Sequence, residues 1–289
     1  LKGVSMEIPE KSIFGLLGTN VAGNSSLIRI INHIIDADHG DILFDGTPLN
    51  LSHIREIGYL PEERGLYKKM KVGEQLVYLG QLRGLSLKEA TKRGKEWCKK
   101  LSIIDWWSKK VEALSKVMAQ KIQFIASVMQ EPKLIILDEP FSGFDPVNAN
   151  LIKDEILELR ERGATIIFST HRLESVELLC DHIAMINKSE KILDGSKTEI
   201  KEQFRDGSYY VEYKAGELKD GSDFKVKETE EIGRGLKRSL VQFSAEGNPN
   251  DLLKSMINQI EIHSFVERIP SMNDIFISLV KENPELAEA

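Results

Sequence analysis

The first candidate for chemistry in this sequence is a glycine-containing turn between a predicted strand and a predicted helix. The turn follows the apolar segment 13–17, precedes a helix predicted over 26–35, and consists of Gly18, Thr19, Asn20, Val21, Ala22, Gly23, Asn24, Ser25 and Ser26. In such a turn, backbone N–H groups and the helix N-terminus face phosphate oxygens. The spacing fits the pattern G-x-x-x-x-G-K-[ST], except that Asn24 occupies the lysine position. The turn is therefore a candidate phosphate-binding loop, and the alternative is an ordinary strand-to-helix turn.

Two adjacent acids form the second candidate. Asp138 and Glu139 follow the apolar segment 134–137, which has the length of a buried strand. Their carboxylates would lie at the C-terminal edge of a sheet, where ligands bind in open α/β folds. Asp138 could hold Mg²⁺ directly or through water, and Glu139 could polarise an attacking water. The alternative is a solvated strand end.

Smaller signals lie in four other segments. His171 follows another apolar strand, where it could contact a γ-phosphate or cap a helix. Ser115 opens a predicted helix, and the N-cap role alone would explain a serine there. The segment 142–145 is a turn before a helix that starts with proline. The segment 59–63 links a strand to a charged helical region.

The order of predicted elements indicates how these residues are positioned. Strand and helix signals alternate to about residue 205, which favours an α/β fold with a parallel sheet covered by helices. After residue 204 the pattern changes to three strands, a helix, a strand and a helix, which is an α+β order. We therefore expect an α/β domain over 1–206, with a helical subdomain at about 67–130, and a small α+β domain over 207–289.

Composition narrows the class of protein. The 289 residues suggest about two domains, and 41% hydrophobic and 29% charged residues indicate a folded globular chain. The net charge of −6 argues against nucleic acid as the main partner. Two cysteines cannot build a disulfide framework, so a reducing compartment is expected. No segment approaches the ~20 apolar residues of a membrane span, and no signal peptide is evident. The missing initiator Met suggests a fragment or a trimmed product.

Taken together, these segments resemble the nucleotide-binding subunits of ATP-binding-cassette (ABC) transporters. In that family a phosphate loop, a glutamine loop, a signature turn, an acidic strand, a D-loop and a switch histidine follow one another. Here the corresponding segments are 18–26, 59–63, 114–118, 134–140, 142–145 and 169–171. The resemblance covers residues 1 to about 205 and implies a P-loop NTPase core with a helical subdomain. The C-terminal part, through residues 270–276, is similar to the extra domain of some bacterial exporter ATPases.

The resemblance implies ATP and Mg²⁺ as cofactors and gives each candidate a role. Residues 18–26 would bind the phosphates, with Mg²⁺ held by Ser25 and Asp138. Glu139 would be the general base, and His171 would sense the γ-phosphate. Glu62 stands where glutamine is usual and can still accept from water or bind Mg²⁺.

The resemblance also implies partners. Two such subunits, identical or different, would form a head-to-tail dimer, in which Ser115 reaches the ATP of the opposite subunit and Asp145 lies at the interface. Closure of the dimer would act on a transmembrane permease, so the protein would be peripheral, on the cytoplasmic face of the membrane. No nucleic acid partner is expected. A soluble ABC-type ATPase of DNA repair or translation is a further alternative, but it usually carries two cassettes or long insertions.

Three departures from the family pattern affect the ATP site. Asn24 replaces the lysine that neutralises the phosphates, and an amide carries no charge. Val21 replaces a glycine of the loop, and Val117 replaces a signature glycine where the backbone must approach ATP. The leading hypothesis is an ATP-binding subunit that couples ATP binding and hydrolysis to export. The alternative is a degenerate nucleotide-binding or regulatory partner subunit with little or no ATPase activity of its own.

Overall fold

The structure is a computed structural model that describes residues 1–18, 23–63, 65–243 and 249–282. The chain divides into two compact units, Leu1–Lys197 and Thr198–Glu282. The boundary predicted from sequence, after residue 206, lies a short helix later than this division.

A mostly parallel sheet forms the centre of the first unit. Within the described residues, its strands and those of a small hairpin are β1 (Ile13–Gly18), β2 (Leu43–Phe44), β3 (Thr47–Pro48), β4 (Ile57–Leu60), β5 (Leu134–Asp138), β6 (Thr165–Ser169), β7 (His182–Asn187) and β8 (Glu190–Ser196). The order is β4-β5-β6-β1-β7-β8, and β8 alone in this order runs antiparallel to its neighbour. Among the described strands, β2 and β3 pair only with each other. β5 is buried along its whole length, as expected for a strand covered on both faces. The predicted α/β fold of this part is confirmed.

Helices cover the sheet and form the predicted helical region. Those described in the first unit are α1 (Asn24–Ile31), α2 (Val72–Leu82), α3 (Leu87–Lys100), α4 (Lys116–Val128), α5 (Pro146–Glu161) and α6 (Leu173–Leu179). α1 packs Ile28 and Ile31 into the core, among residues of β1, β5 and β6. α1 was predicted to extend to residue 35 but ends at Ile31, because Asn32 caps it with a bond from its side-chain amide to the Ile28 carbonyl at 2.9 Å.

Trp107 explains how the helices of the helical region approach one another. A Cβ at Gly73 of α2 would lie 2.3 Å from Trp107 Cε2, and a Cβ at Gly94 of α3 would lie 3.3 Å from the same ring. The indole therefore fills space that only glycine leaves open. The C-terminal end of α2 is linked to the edge strand β4, because the half-buried Arg83 guanidinium donates to the Ile57 carbonyl. Burial lowers the pKa of Arg83.

The second unit has its own sheet and core. Its elements are α7 (Lys197–Gln203), which begins at the division, and then β9 (Ser208–Gly216), β10 (Phe224–Gly233), β11 (Leu236–Phe243), α8 (Pro249–Ile257), β12 (Ile260–Glu267) and α9 (Met272–Glu282). The strands form an antiparallel sheet in the order β10-β11-β9-β12. Val211, Tyr213, Phe224, Val241 and Leu252 are among its buried core residues. The predicted α+β order is confirmed. None of the helices described in either unit is long and apolar enough to cross a membrane.

Candidate functional site

Three parallel strands bring the candidate residues to one edge of the sheet. β1, β5 and β6 run in the same direction, with Leu16 beside Ser169 and Asp138 beside Ser169 across the strands. The segments that follow these strands carry the glycine turn, the two acids and His171. The C-terminal edge of such a sheet is where ligands bind in α/β folds. The structure therefore brings together the candidates that the sequence placed in three separate segments.

The ends of the predicted phosphate loop are suited to an anion. Gly23 has φ of 113°, a conformation that glycine adopts without strain, and it supplies no side-chain cap to α1. The first turn of α1 contains no acidic residue, and Ser25 and Ser26 are exposed there. Free N–H groups at a helix N-terminus attract phosphate. The other loop residues of the prediction, Thr19, Asn20, Val21 and Ala22, lie outside the described residues.

Asn24 does not replace the missing lysine. Its side-chain Nδ2 donates to the Leu16 carbonyl at 3.4 Å, so the amide is folded back onto β1. Its Oδ1 is buried and has no hydrogen-bond partner among the described residues. The first helical residue thus contributes no positive charge to the loop and leaves an acceptor unpaired.

Asp138 is a buried carboxylate in a negative environment. Burial is the largest cause that raises its pKa, and the charges of Glu62 and Glu139 raise it further. A hydrogen bond with the Ser169 side chain and the charge of Arg29 oppose this rise in pKa. A cation would relieve the repulsion, and the Asp138 carboxylate and the Ser25 hydroxyl are oxygen groups of the kind that Mg²⁺ prefers. In the described part of the chain no three His, Cys, Asp or Glu side chains cluster as a metal site. These residues fit an ion that takes few protein ligands and several oxygens from phosphate and water.

The Glu139 carboxylate is held by the segment that follows β6. Its backbone N–H donates to the Ser169 carbonyl at 2.9 Å. Its Oε1 accepts from the His171 backbone N–H at 2.7 Å and lies 2.7 Å from His171 Nδ1. Its Oε2 accepts from Thr170 Oγ1 at 3.2 Å. Four contacts from three consecutive residues therefore fix the carboxyl group and its backbone.

Two features of this cluster were not predicted from the sequence. Glu139 has φ of 47°, a left-handed conformation that is uncommon for residues other than glycine and is often found at functional sites. Thr170 was not identified as a functional residue, although its position between Ser169 and His171 offered a hydroxyl beside the acid. His171 contacts Glu139 and yet its side chain is 63% exposed, so the ring is accessible to a ligand.

Glu62 lies close enough to this edge to affect it electrostatically. It is exposed and follows β4, which pairs with β5. The pKa of Tyr59 on β4 is raised by burial and then by the charges of Asp138 and Glu62, while Arg29 lowers it. Glu62, Asp138 and Glu139 thus form one region of negative charge.

Ser115 and Asp145 act as helix caps within this chain. Ser115 Oγ accepts from the Met118 N–H at 3.3 Å at the start of α4, as the sequence indicated. Asp145 Oδ1 accepts from the N–H groups of Val147 and Asn148, both at 3.0 Å, at the start of α5. Hydrogen bonds from Asn148 are the main cause of the lowered pKa of Asp145. Among the described contacts, neither Ser115 nor Asp145 bonds to Asp138, Glu139 or His171.

Comparisons with known proteins cover both units. Residues 1–142 match the family model described as ABC transporter, and residues 195–280 match the C-terminal domain described as ATP-binding protein DrrA1-3-like. The chain is 40% identical over 278 residues to the uncharacterized ABC transporter ATP-binding protein YhaQ of Bacillus subtilis, covering 96% of this chain and 92% of that protein. It is 35% identical over 203 residues to the linearmycin resistance ATP-binding protein LnrL of the same organism, covering 69% and 65%. A solved ATP-binding subunit of an ABC transporter aligns with TM-score 0.65 and 28% identity, over 70% of this chain and 85% of that one.

Proposed function

Because the chain belongs to the ATP-binding proteins of ABC transporters, we propose that it couples hydrolysis of Mg-ATP to export through a separate membrane permease. The matches to the ABC transporter family model and to a related ATP-binding protein support ATP binding and place the chain among the ABC ATPases. The observation that carries the proposal of hydrolysis is the placement of Glu139. Its carboxylate lies directly after Asp138 at the sheet edge and is oriented by Thr170 and His171.

The residues at the edge divide the work of hydrolysis. The N-terminus of α1 and the glycine turn bind the phosphates, and Ser25 and Asp138 would hold Mg²⁺. The ion supplies positive charge that offsets the charge of the phosphate oxygens. Glu139 accepts a proton from the attacking water as it attacks the γ-phosphate. The exposed His171 ring holds Glu139 through Nδ1 and can present its other nitrogen to a phosphate oxygen.

The dimer belongs to the same proposal. The first turn of α4 has no acidic residue and begins with Lys116 after the Ser115 cap, which suits it to an anion. In a head-to-tail dimer this turn would meet the nucleotide of the opposite subunit, and the loop before Asp145 would lie at the interface. Val117 stands in that turn and would restrict the approach of the phosphate.

A permease is the proposed membrane partner. Tyr67, Tyr78 and Leu82 are exposed in the helical region, and the two tyrosine rings lie 6.0 Å apart. Exposed aromatic side chains are typical of protein interfaces. The resistance role in the name of LnrL supports export as the direction of transport. We place the protein at the cytoplasmic face of the membrane, with residues 207–289 as a domain that does not contact ATP.

Hydrolysis is best tested in a repaired protein, because the altered phosphate loop and signature turn would mask the chemistry. The repaired protein carries Asn24→Lys, Val21→Gly and Val117→Gly. It should release phosphate from Mg-ATP, and adding Glu139→Gln should lower the rate by ~10²–10⁴-fold while ATP binding is retained. Glu161→Gln, at an exposed position in the last turn of α5, is the matched control and should leave the rate unchanged.

Two results would contradict parts of the proposal. Equal rates with Glu and Gln at position 139 would show that Glu139 is not the base. A repaired protein that binds Mg-ATP tightly and dimerises but releases no phosphate would instead favour the alternative, a partner subunit without ATPase activity of its own.

A further inference from the structure

One face of α4 carries long polar side chains that reach two different loops. Lys116, Gln120 and Gln123 follow one another at i, i+4 and i+7, which places them along one stripe of the helix. Gln123 is 7% exposed, so its amide must find its hydrogen-bond partners inside the protein. The partners of this stripe are backbone groups of the segments that carry Glu62 and Asp145.

Gln123 donates hydrogen bonds to the backbone on both sides of Glu62. Its Nε2 donates to the Pro61 carbonyl at 3.4 Å and to the Glu63 carbonyl at 3.2 Å. A side-chain amide has two donor hydrogens, and both are used on the residues on either side of Glu62. The backbone around Glu62 is therefore bonded to α4, although the Glu62 side chain itself is exposed.

Two residues of the same helix face, Gln120 and Lys116, contact the loop that ends at Asp145. Gln120 Nε2 donates to the Ser142 carbonyl. The Lys116 side chain lies across Gly143, where an added Cβ would be 3.0 Å from Lys116 Cε. Gly143 has φ of 79°, so both its conformation and its contact with Lys116 favour glycine.

The C-terminal end of α4 packs against the sheet. A Cβ at Gly58 of β4 would lie 2.1 Å from the Ser127 carbonyl oxygen, so the C-terminal part of α4 touches the strand backbone. The N-terminal end of the same helix begins at the Ser115 cap. One helix thus links the strand before Glu62, the loop before Asp145 and the turn that carries Ser115.

We propose that Gln123 and Gln120 are positioning residues that hold Glu62 and Asp145 in a fixed relation to Ser115. This inference rests on the proposed function, in which Ser115 meets the nucleotide of the opposite chain, and on the resemblance, which implies that Glu62 serves the nucleotide of its own chain. The two glutamines connect Glu62 and Asp145 to α4, so that these residues and Ser115 would move together with the helix. A displacement of α4 at one nucleotide is then transmitted to the loop at the other.

The fastening can be measured without nucleotide in the intact chain. Gln123→Met keeps the approximate volume and removes both donors, and Gln123→Glu keeps the shape and removes them as well. The matched control is Gln130→Met, because Gln130 lies in the turn after α4 and its amide donates to the Ser127 carbonyl of the last helical turn at 3.1 Å. The probe is a glutamate-specific protease, with cleavage after Glu62 and Glu63 compared with cleavage at glutamates elsewhere in the chain.

Both Gln123 variants should be cleaved at Glu62 and Glu63 about tenfold faster than the parent chain, because cleavage follows the population of the opened loop. The control should stay within about twofold. Unchanged cleavage in both variants would overturn the proposal. A parallel rise at all glutamates would overturn it too, since this would indicate general destabilisation rather than release of one loop.

A kinetic measurement distinguishes this inference from the proposed function. In the repaired protein, Gln123→Met should lower kcat by about tenfold with KM within about threefold, since the phosphate loop is untouched. Gln130→Met should change neither. A rise in KM at constant kcat would contradict the positioning role. If the repaired protein releases no phosphate at all, the proposal of hydrolysis fails, and the protease result alone decides whether Gln123 holds the loop.

Discussion

Replacing Asn24 with lysine should tighten the binding of Mg-ATP by about one to two decades. The Asn24 amide donates to the Leu16 carbonyl and leaves a buried Oδ1 with no partner among the described residues. In this arrangement the Asn24 side chain donates no hydrogen bond to a bound phosphate. The substitution removes the unpaired acceptor and adds a charge at the N-terminal residue of α1, beside exposed Ser25.

The magnitude follows from the type of bond that is gained. A hydrogen bond between an ammonium group and a phosphate oxygen contributes ~1.5–3 kcal/mol, compared with nothing from an amide that is turned away. Each 1.4 kcal/mol corresponds to about a tenfold change in Kd, which gives about one to two decades. Loss of the bond to Leu16 costs less than this, because the bond is neutral and long at 3.4 Å.

Calorimetric titration with Mg-ATP measures the effect, and Asn32→Lys is the matched control. Asn32 caps the other end of α1 through its bond to the Ile28 carbonyl, and both substitutions change the net charge from −6 to −5. A lysine near a helix C-terminus is electrostatically favourable, so the control should fold. The same Kd in the two variants would refute the reasoning, because the gain would then reflect total charge and not a contact with the phosphates.

Two further predictions concern stability. Gln75→Met should raise the free energy of unfolding in urea by ~1–2 kcal/mol, because the Gln75 amide is 0% exposed and neither of its polar atoms has a partner in the described part of the chain. The control is Gln81→Met, at an exposed position of the same helix, and no gain relative to this control would show that the Gln75 amide is satisfied. Burial raises the pKa of the Cys98 thiol to about 11, so its contribution to stability is complete below the ordinary thiol pKa of about 8.5 and is lost as the pH rises towards 11. Unfolding measured from pH 8 to pH 10 should therefore show a smaller loss of stability in Cys98→Ala than in the parent chain, and equal slopes would contradict this.

Periodicity in the sequence was sufficient to predict the layers of the fold. The apolar strands ending at Leu17, Leu137 and Phe168 were placed in one parallel sheet, and residues 209–281 were assigned to strands and helices in the observed order. The exact end of α1 was missed, because apolar spacing continues past Ile31 while Asn32 ends the helix through its side chain. The spacing of hydrophobic residues indicates which positions are buried. A helix cap depends on a single polar contact, which this spacing does not reveal.

The sequence predicted which residues form the candidate site but not how they contact one another. Asp138, Glu139 and His171 were identified from their positions after strands, and the parallel register brings these positions to one edge. Glu139 bonds to Thr170 and His171, 31 and 32 residues away, and has a φ of 47°, and the local sequence pattern indicates neither feature. That Gln123 holds the backbone around Glu62 depends on how α4 packs on β4. Both are consequences of tertiary packing.

The contacts also indicate that binding and hydrolysis are separable in this chain. The Glu139 carboxylate is held by Thr170 and His171, which follow β6, and none of its contacts within the described residues involves Asn24. Asn24 in turn contacts β1 through Leu16. A change at the phosphate loop can therefore weaken ATP binding without disturbing Glu139, the proposed base, and repair of the loop requires no change at the acidic residues. Asn24→Lys alone should restore much of the affinity, while phosphate release also requires a signature turn that Val117 does not obstruct.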